Sequence, residues 1–373
     1  KMRLTHVFTA ILLGIASTSC IQDEALNVEA AIDGCSGANI QLLNINEISR
    51  EVDIYVFDGA NTAAQELNFE LPEGASIVPD KKEAGDNPPY YDFSTQTQRN
   101  FTVTSEDGNN HSTYTLNMYK IKLPLEYSFE NLREINPYHI LYITDINGIM
   151  QWASGNPGYK LCGMAKSAED YPTVQTSGGK EGKCITLTTR STGSFGSMTK
   201  MPIAAGNLFV GSFDATSAVI APLQATQFGF TFTRKPIRMT GYYKYKAGDV
   251  FTDKAGQVVS GKTDTGDIYA VLYEAPTSDF SLDGDLFTPG NEKAQHIVAL
   301  ARIEKTIETD QWTSFDLPFE PQNGKTINED GLKNGKYKLA VVFSSSIRGA
   351  YFEGAVGSQL QIDEVKIECE EEN

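Results

Sequence analysis

The sequence predicts an all-β protein built as two sandwiches in tandem, a small one followed by a larger one. Three observations carry this. Short runs of apolar residues alternate with period two, Gly, Asn, Asp and Pro clusters separate them, and no convincing amphipathic helix interrupts them.

The strands of the first sandwich lie between residues 40 and 123. Val52, Ile54 and Val56 alternate in "EVDIYVF", and Leu67, Phe69 and Leu71 alternate in "ELNFELPEG". Phe101 and Val103 alternate before "SEDGNN", and Tyr114, Leu116 and Met118 after it. The stretch "PDKKEAGDNPPYYDFS" is polar and proline-rich and reads as a loop. Pro124 breaks the pattern at 122–126, where the first domain ends.

The second sandwich takes residues 124–373, a length that a single β domain can have. In "YKLAVVFSSS" one face carries Tyr337, Leu339, Val341 and Phe343. Val342 makes the other face apolar as well, so this strand is central. "TGYYKYKAGD", "GDIYAVLYE", "IVALARIE" and "QWTSFDLPFE" continue the set. Near the end, Leu360 and Ile362 share a phase that Val365 and Ile367 do not. The slip at Asp363 and Glu364 predicts a β-bulge.

Residues 1–19 read as a secretory leader: Lys1 and Arg3 are basic, residues 7–16 are apolar, and small residues lead to Cys20. The apolar run is too short for a permanent membrane span. Ser17, Thr18, Ser19 and Cys20 resemble a bacterial lipobox, although Ser17 stands where Leu is usual. Cys20 is therefore expected to carry a lipid, with 20–39 as anchor and linker. Asp23 and Glu24 follow at once, similar to the surface-export signal of Bacteroidetes lipoproteins. The expected location is the outer membrane, lipid-anchored and facing outward. An ordinary leader with an incidental cysteine is the other reading of the same residues.

The formal charge is −17, and loss of Lys1 and Arg3 with the leader takes it to −19. So acidic a surface repels nucleic acid and anionic lipid, so no nucleic-acid partner is expected. Cys162 and Cys184 are near enough in sequence to bridge a loop in an oxidising compartment, but spacing does not fix a pair.

Together, "WASGNPG" (152–158), "PIAAGNLFVGSF" (202–213), "TGYYKYKAGD" (240–249), "DIYAVLYE" (267–274) and "SSSIRGAYFEGAVGSQLQIDEVKI" (344–367) resemble the putative carbohydrate metabolism domain of Bacteroidetes lipoproteins, the PCMD family. The resemblance implies an N-terminal immunoglobulin-like β-sandwich followed by a larger β-sandwich jelly-roll. It also implies a pocket where related sandwiches bind sugar, and it gives no reaction.

Sugar recognition needs flat aromatic faces and fixed polar groups. Trp152 and Asn156 lie in a glycine-rich loop, and Arg348, Tyr351, Phe352 and Glu353 in another. Trp152, Asn156, Arg348, Tyr351 and Glu353 are the candidate carbohydrate-binding residues. Packing of Trp152 against the sandwich, and pairing of Arg348 with Glu353, are the structural alternatives. In "GYYKYK", Tyr243 and Tyr245 share one face and Tyr242 and Lys244 the other, one of them core.

Glu130 and Asp363 are candidates for a structural calcium site of the kind jelly-roll binding modules carry. No other cofactor is expected. "GQVVSGKT" (256–263) satisfies a P-loop pattern, but a polar stretch precedes it and a turn and strand follow, so it reads as a hairpin loop. His111, His139 and His296 are scattered, and no nucleophile elbow occurs.

The expectation is a surface lipoprotein that binds a glycan or oligosaccharide. A glycoside hydrolase using Glu353 and an unnamed second carboxylate is the rival, and a structural or adhesive subunit a third reading.

Overall fold

The computed structural model describes residues 25–143 and 150–371. The leader and Cys20 lie outside the described residues.

The first unit is organised by one five-stranded sheet in the order Ile40–Asn46, Glu51–Phe57, His111–Ile121, Gln98–Thr104, Ser76–Pro79. Its neighbours are antiparallel, except that Glu51–Phe57 and His111–Ile121 run parallel. Two ribbons cover one face: Gly34–Ser36 with Asn68–Glu70, and Gln65–Glu66 with Tyr90–Tyr91. Val52, Ile54, Val56, Phe101, Val103, Tyr114, Leu116 and Met118 all point into the resulting core, as their alternation predicts. A mixed sheet faced by two ribbons makes this unit a small β-sandwich.

The polar stretch before residue 95 is more than a loop. It sends Tyr91 and Phe93 into the core. A buried fork holds it: Arg99 donates to both oxygens of Asp86, at 2.8 and 2.7 Å. Sequence polarity concealed this because the aromatics follow Pro88 and Pro89, in a segment otherwise composed of turn residues.

The second unit is a sandwich of two six-stranded sheets. The first runs Thr173–Ser177, Lys183–Thr188, Gln359–Cys369, Pro236–Lys246, Thr309–Pro318, with Glu126–Tyr127 also on Gln359–Cys369. The second runs Asn207–Phe209, Tyr337–Ser344, Asp267–Glu274, Ile297–Arg302, Glu320–Pro321, with Phe230–Thr231 also on Tyr337–Ser344. The first strand of the unit thus pairs with its last, as in a jelly-roll. The preceding unit ends its sheet at Ile121, and Glu126–Tyr127 begins the next one.

Ile185, Leu187, Met239, Tyr243, Tyr245, Leu360 and Ile362 face Ile268, Ala270, Leu272, Leu339, Val341 and Phe343 across the main core. Tyr243 and Tyr245 are therefore the core pair of "GYYKYK". On the opposite face, Lys244 lies 4.8 Å from the Trp312 ring.

The bulge is where the phase slip puts it. Tyr242 pairs with Asp363 and Thr240 with Lys366, leaving Glu364 and Val365 opposite Gly241 alone. Glu364 turns left-handed, with φ 48°. A side chain at position 241 would strike the Phe315 ring at 2.6 Å, so the bend requires glycine there.

The second sheet is covered on both faces. Its outer face carries Phe209, Tyr269, Val271, Tyr273, Ala340 and Val342, against which Phe228 of the short strand Thr226–Phe228 and Leu282 and Leu286 of a loop are packed. This explains why Tyr337–Ser344 is apolar on both sides. The two units touch where Leu42 and Ile121 pack on the main core and the Thr231 N–H donates to Gln41 Oε1 at 2.7 Å. Among the described residues, no helix is long and apolar enough to cross a membrane.

Candidate functional site

The outer core of the second sheet does not close. It opens into a cavity of about 340 Å³. Phe209, Tyr269 and Val342 form a buried floor on three adjacent strands, and Phe228, Leu286 and Ile203 are buried around it. Leu161, Val219 and Phe287 are 49%, 40% and 38% exposed, and with Arg348 they mark the mouth.

Two arginine–aromatic stacks stand in the wall. The Arg348 guanidinium lies 4.1 Å from the centre of the Tyr351 ring, and that of Arg302 lies 3.8 Å from the centre of Phe287. Each arginine is neutralised by a carboxylate. Arg348 Nε donates to Glu353 Oε2 at 3.2 Å. Arg302 grips Asp267 with Nε at 2.9 Å and Nη2 at 2.7 Å. Strand pairing sets the second fork: Arg302 sits opposite Tyr269, which puts Asp267 diagonally across on the same face. Burial pushes the Asp267 carboxyl up, against the pull of Arg302.

The 348–352 loop is tied down from below. Asp264 Oδ2 accepts from Ser346 Oγ at 2.6 Å, Ser358 Oγ at 2.7 Å and the Ala355 N–H at 2.8 Å. Gly349 comes so close to the segment before Asn207–Phe209 that a Cβ there would meet Ala205 Cβ at 2.4 Å. Tyr351 is fixed at its far end, where its hydroxyl meets Thr288 and Asp285.

Of the candidates read from the sequence, Arg348 and Tyr351 line this cavity. Phe352 lines it too, in a left-handed turn with φ 59°. Glu353 does not. It is turned onto Arg348, with Lys262 of the false P-loop 4.0 Å away.

Trp152 is a core residue, 5% exposed and packed on Tyr127, Phe129 and Phe343. What can be reached of it borders a separate cleft of about 650 Å³ between the two units, with Tyr55, Tyr142 and Gln151. Asn156 is fully buried and stitches Thr173, donating to its carbonyl at 2.8 Å and accepting its N–H at 3.1 Å. Both side chains are taken up by packing, while the glycines beside them, Gly155 and Gly158, reach the cavity.

Glu130 and Asp363 meet at the turn between Thr173–Ser177 and Lys183–Thr188, away from the cavity. Their oxygens accept N–H groups: Lys183 donates to Glu130 at 2.6 Å, Glu181 to Asp363 at 3.1 Å and Glu364 to Asp363 at 2.9 Å. These backbone N–H groups hold the two carboxylates in place beside each other. Among the described residues, no group of three or more His, Cys, Asp or Glu could hold a metal ion. No disulfide forms there either. Cys162 lines the cavity as a free thiol, and Cys184 is buried beside Thr176.

The sequence reading missed Asp267 and Arg302. The available signal was a charge at the end of an otherwise apolar strand, in "DIYAVLYE" and in "IVALAR".

A family model described as "Putative carbohydrate metabolism domain" matches residues 128–368. The chain belongs to this family. A solved structure, described as a putative glycoside hydrolase from Bacteroides thetaiotaomicron, is 42% identical over 94% of this chain and 100% of its own, with a TM-score of 0.72. A second, a putative glycoside hydrolase from Bacteroides vulgatus, is 41% identical over 67% of this chain and 99% of its own, with a TM-score of 0.62. No curated protein matches. The PCMD match begins one residue after Glu126–Tyr127 and ends within Gln359–Cys369, so it spans the second sandwich beyond its first strand, the whole cavity wall included.

Proposed function

We propose that the second sandwich binds a glycan at the mouth of this cavity, in carbohydrate utilisation at the cell surface. In this reading the protein is held on the outer membrane through a lipid on Cys20. The observation that carries the binding role is the pair of arginine–aromatic stacks. Each supplies a planar group with outward N–H donors, held rigid and without net charge by its carboxylate. Neutral sugars need such fixed donors beside apolar surface.

The hydrolase reading rests on how the two relatives are described. Hydrolysis needs two carboxyl groups facing across the scissile bond. Among the described lining residues Asp267 is the one carboxylate, and Arg302 occupies both its oxygens. Binding is therefore favoured over cleavage.

A glycan array, followed by retention on immobilised polysaccharide, tests the proposal. Arg348→Ala and Tyr351→Ala should each weaken retention about tenfold or more. Retention on no glycan would overturn it, and release of reducing sugar would favour the hydrolase.

A further inference from the structure

The mouth suits a sugar, but the chamber behind it does not. Its floor is Phe209, Tyr269 and Val342, with Phe228 and Leu286 buried around it. Several polar groups in its wall already have protein partners. Asp267 holds Arg302, Ser346 donates to Asp264, Tyr159 donates to the Ser191 carbonyl, and Asn207 Oδ1 accepts the Gly155 N–H. A sugar ring pushed inside would bury more hydroxyls than the remaining wall groups, the Tyr269 hydroxyl and Asn207 Nδ2 among them, could bond, at a cost for each. An apolar group would lose nothing. A dry apolar cavity of about 150 Å³ accepts benzene, and this one has about 340 Å³.

We propose that the glycan bound at the mouth carries a neutral apolar substituent, an alkyl or acyl chain or an aryl ring, which enters the chamber. This rests on the glycan reading above and narrows its ligand class. The sugar lies against the Arg348–Tyr351 and Arg302–Phe287 stacks, while its substituent passes between Leu161 and Val219 to the floor. Charged substituents are excluded, because both arginines are already neutralised.

Calorimetric titration of the full chain with alkyl β-D-glucosides and β-D-galactosides, methyl through hexyl and below micelle formation, tests this. Affinity should rise about fourfold for each buried CH₂. The gain should continue through hexyl, because the cavity has about twice the volume that holds benzene's six carbons. Phenyl glycosides distinguish a ring from a chain, and a gain with either supports the proposal. Ala204→Phe fills the chamber and Val219→Trp narrows its exposed rim, and in folded protein each should flatten the series.

An affinity independent of chain length overturns the proposal. If array glycans still bind and depend on Tyr351, the glycan reading survives that result. Hexan-1-ol binding as tightly as hexyl glucoside also overturns it, since the sugar then contributes nothing. A chain-length gain unchanged in both folded variants would do so too, by placing the substituent elsewhere.

Discussion

Asp264 and Ser346, 82 positions apart, meet in a buried hydrogen bond of 2.6 Å that fixes the loop carrying Arg348 and Tyr351. Ser346 also meets Thr189 Oγ1 at 2.6 Å, which ties the loop to the first sheet's side of the sandwich. Asp264→Ala strands three donors at once, those of Ser346, Ser358 and Ala355. Unfolding in urea should show a loss of about 3 kcal/mol or more. An unchanged midpoint would mean that the loop holds itself.

Trp152→Ala and Tyr351→Ala should part company. Trp152 fills the main core, so its truncation should cost about 3–5 kcal/mol of stability. Glycan affinity should be unchanged in whatever protein remains folded. Tyr351→Ala should lower affinity and barely shift the melting temperature. The opposite assignment of the two effects, read from melts and titrations side by side, would return Trp152 to the binding site.

Alternation made the fold legible. Val52, Ile54 and Val56, the two-faced Tyr337–Ser344 strand and the slip at Asp363 all encode burial through spacing, and burial follows spacing. The site was legible only in part. Arg348 and Tyr351 stood out because a glycine-rich loop gathers unlike side chains. Trp152 misled because its loop is glycine-rich only after it, and the indole itself turns back into the core. Asp267 and Arg302 escaped because their meeting depends on strand pairing between segments 35 positions apart. The apolar chamber escaped for the same reason, since its floor takes one residue from each of three strands.

Acid should undo the first unit through Asp86. Hydrogen bonds from Arg99 and from the Asp92 and Glu83 N–H groups hold its carboxyl well below the usual range, despite burial. Its contribution is therefore complete above the unfolded value of about 3.9 and is lost as the pH falls below it. Arg99→Ala should destabilise this unit by about 3–5 kcal/mol at neutral pH. Circular dichroism during acid titration should show the parent losing stability below about pH 4. Asp86→Asn should be weaker at neutral pH and flatter across that range. A parent with the same profile as Asp86→Asn would rule out this linkage.

Cys162 offers a reporter of cavity occupancy. Burial pushes its thiol up, and Sγ donates to the Tyr159 carbonyl at 2.9 Å. Alkylation by iodoacetamide should be slow at neutral pH and faster as the pH rises, because the thiolate is the nucleophile. A ligand in the chamber should slow it further. Mass spectrometry of the labelled peptide measures both effects, and rapid labelling at neutral pH would show that the thiol is open to solvent.

The Arg302–Asp267 fork separates stability from recognition. Arg302→Ala would leave a buried carboxylate without its partner, and breaking one side of such a pair costs about 3–5 kcal/mol. Replacing both, as Asp267→Leu with Arg302→Met, removes the charge along with its partner. Swaps of this kind are often neutral or stabilising, so the double variant should melt close to the parent. Affinity should behave differently. The double variant keeps an apolar wall but loses the planar donor stacked on Phe287, so glycan affinity should fall about tenfold or more. A stable double variant that binds as the parent does would make the fork a purely structural pair and leave recognition to Arg348 and Tyr351. A double variant as unstable as Arg302→Ala would instead show that the wall depends on the fork's hydrogen bonds and not on charge balance.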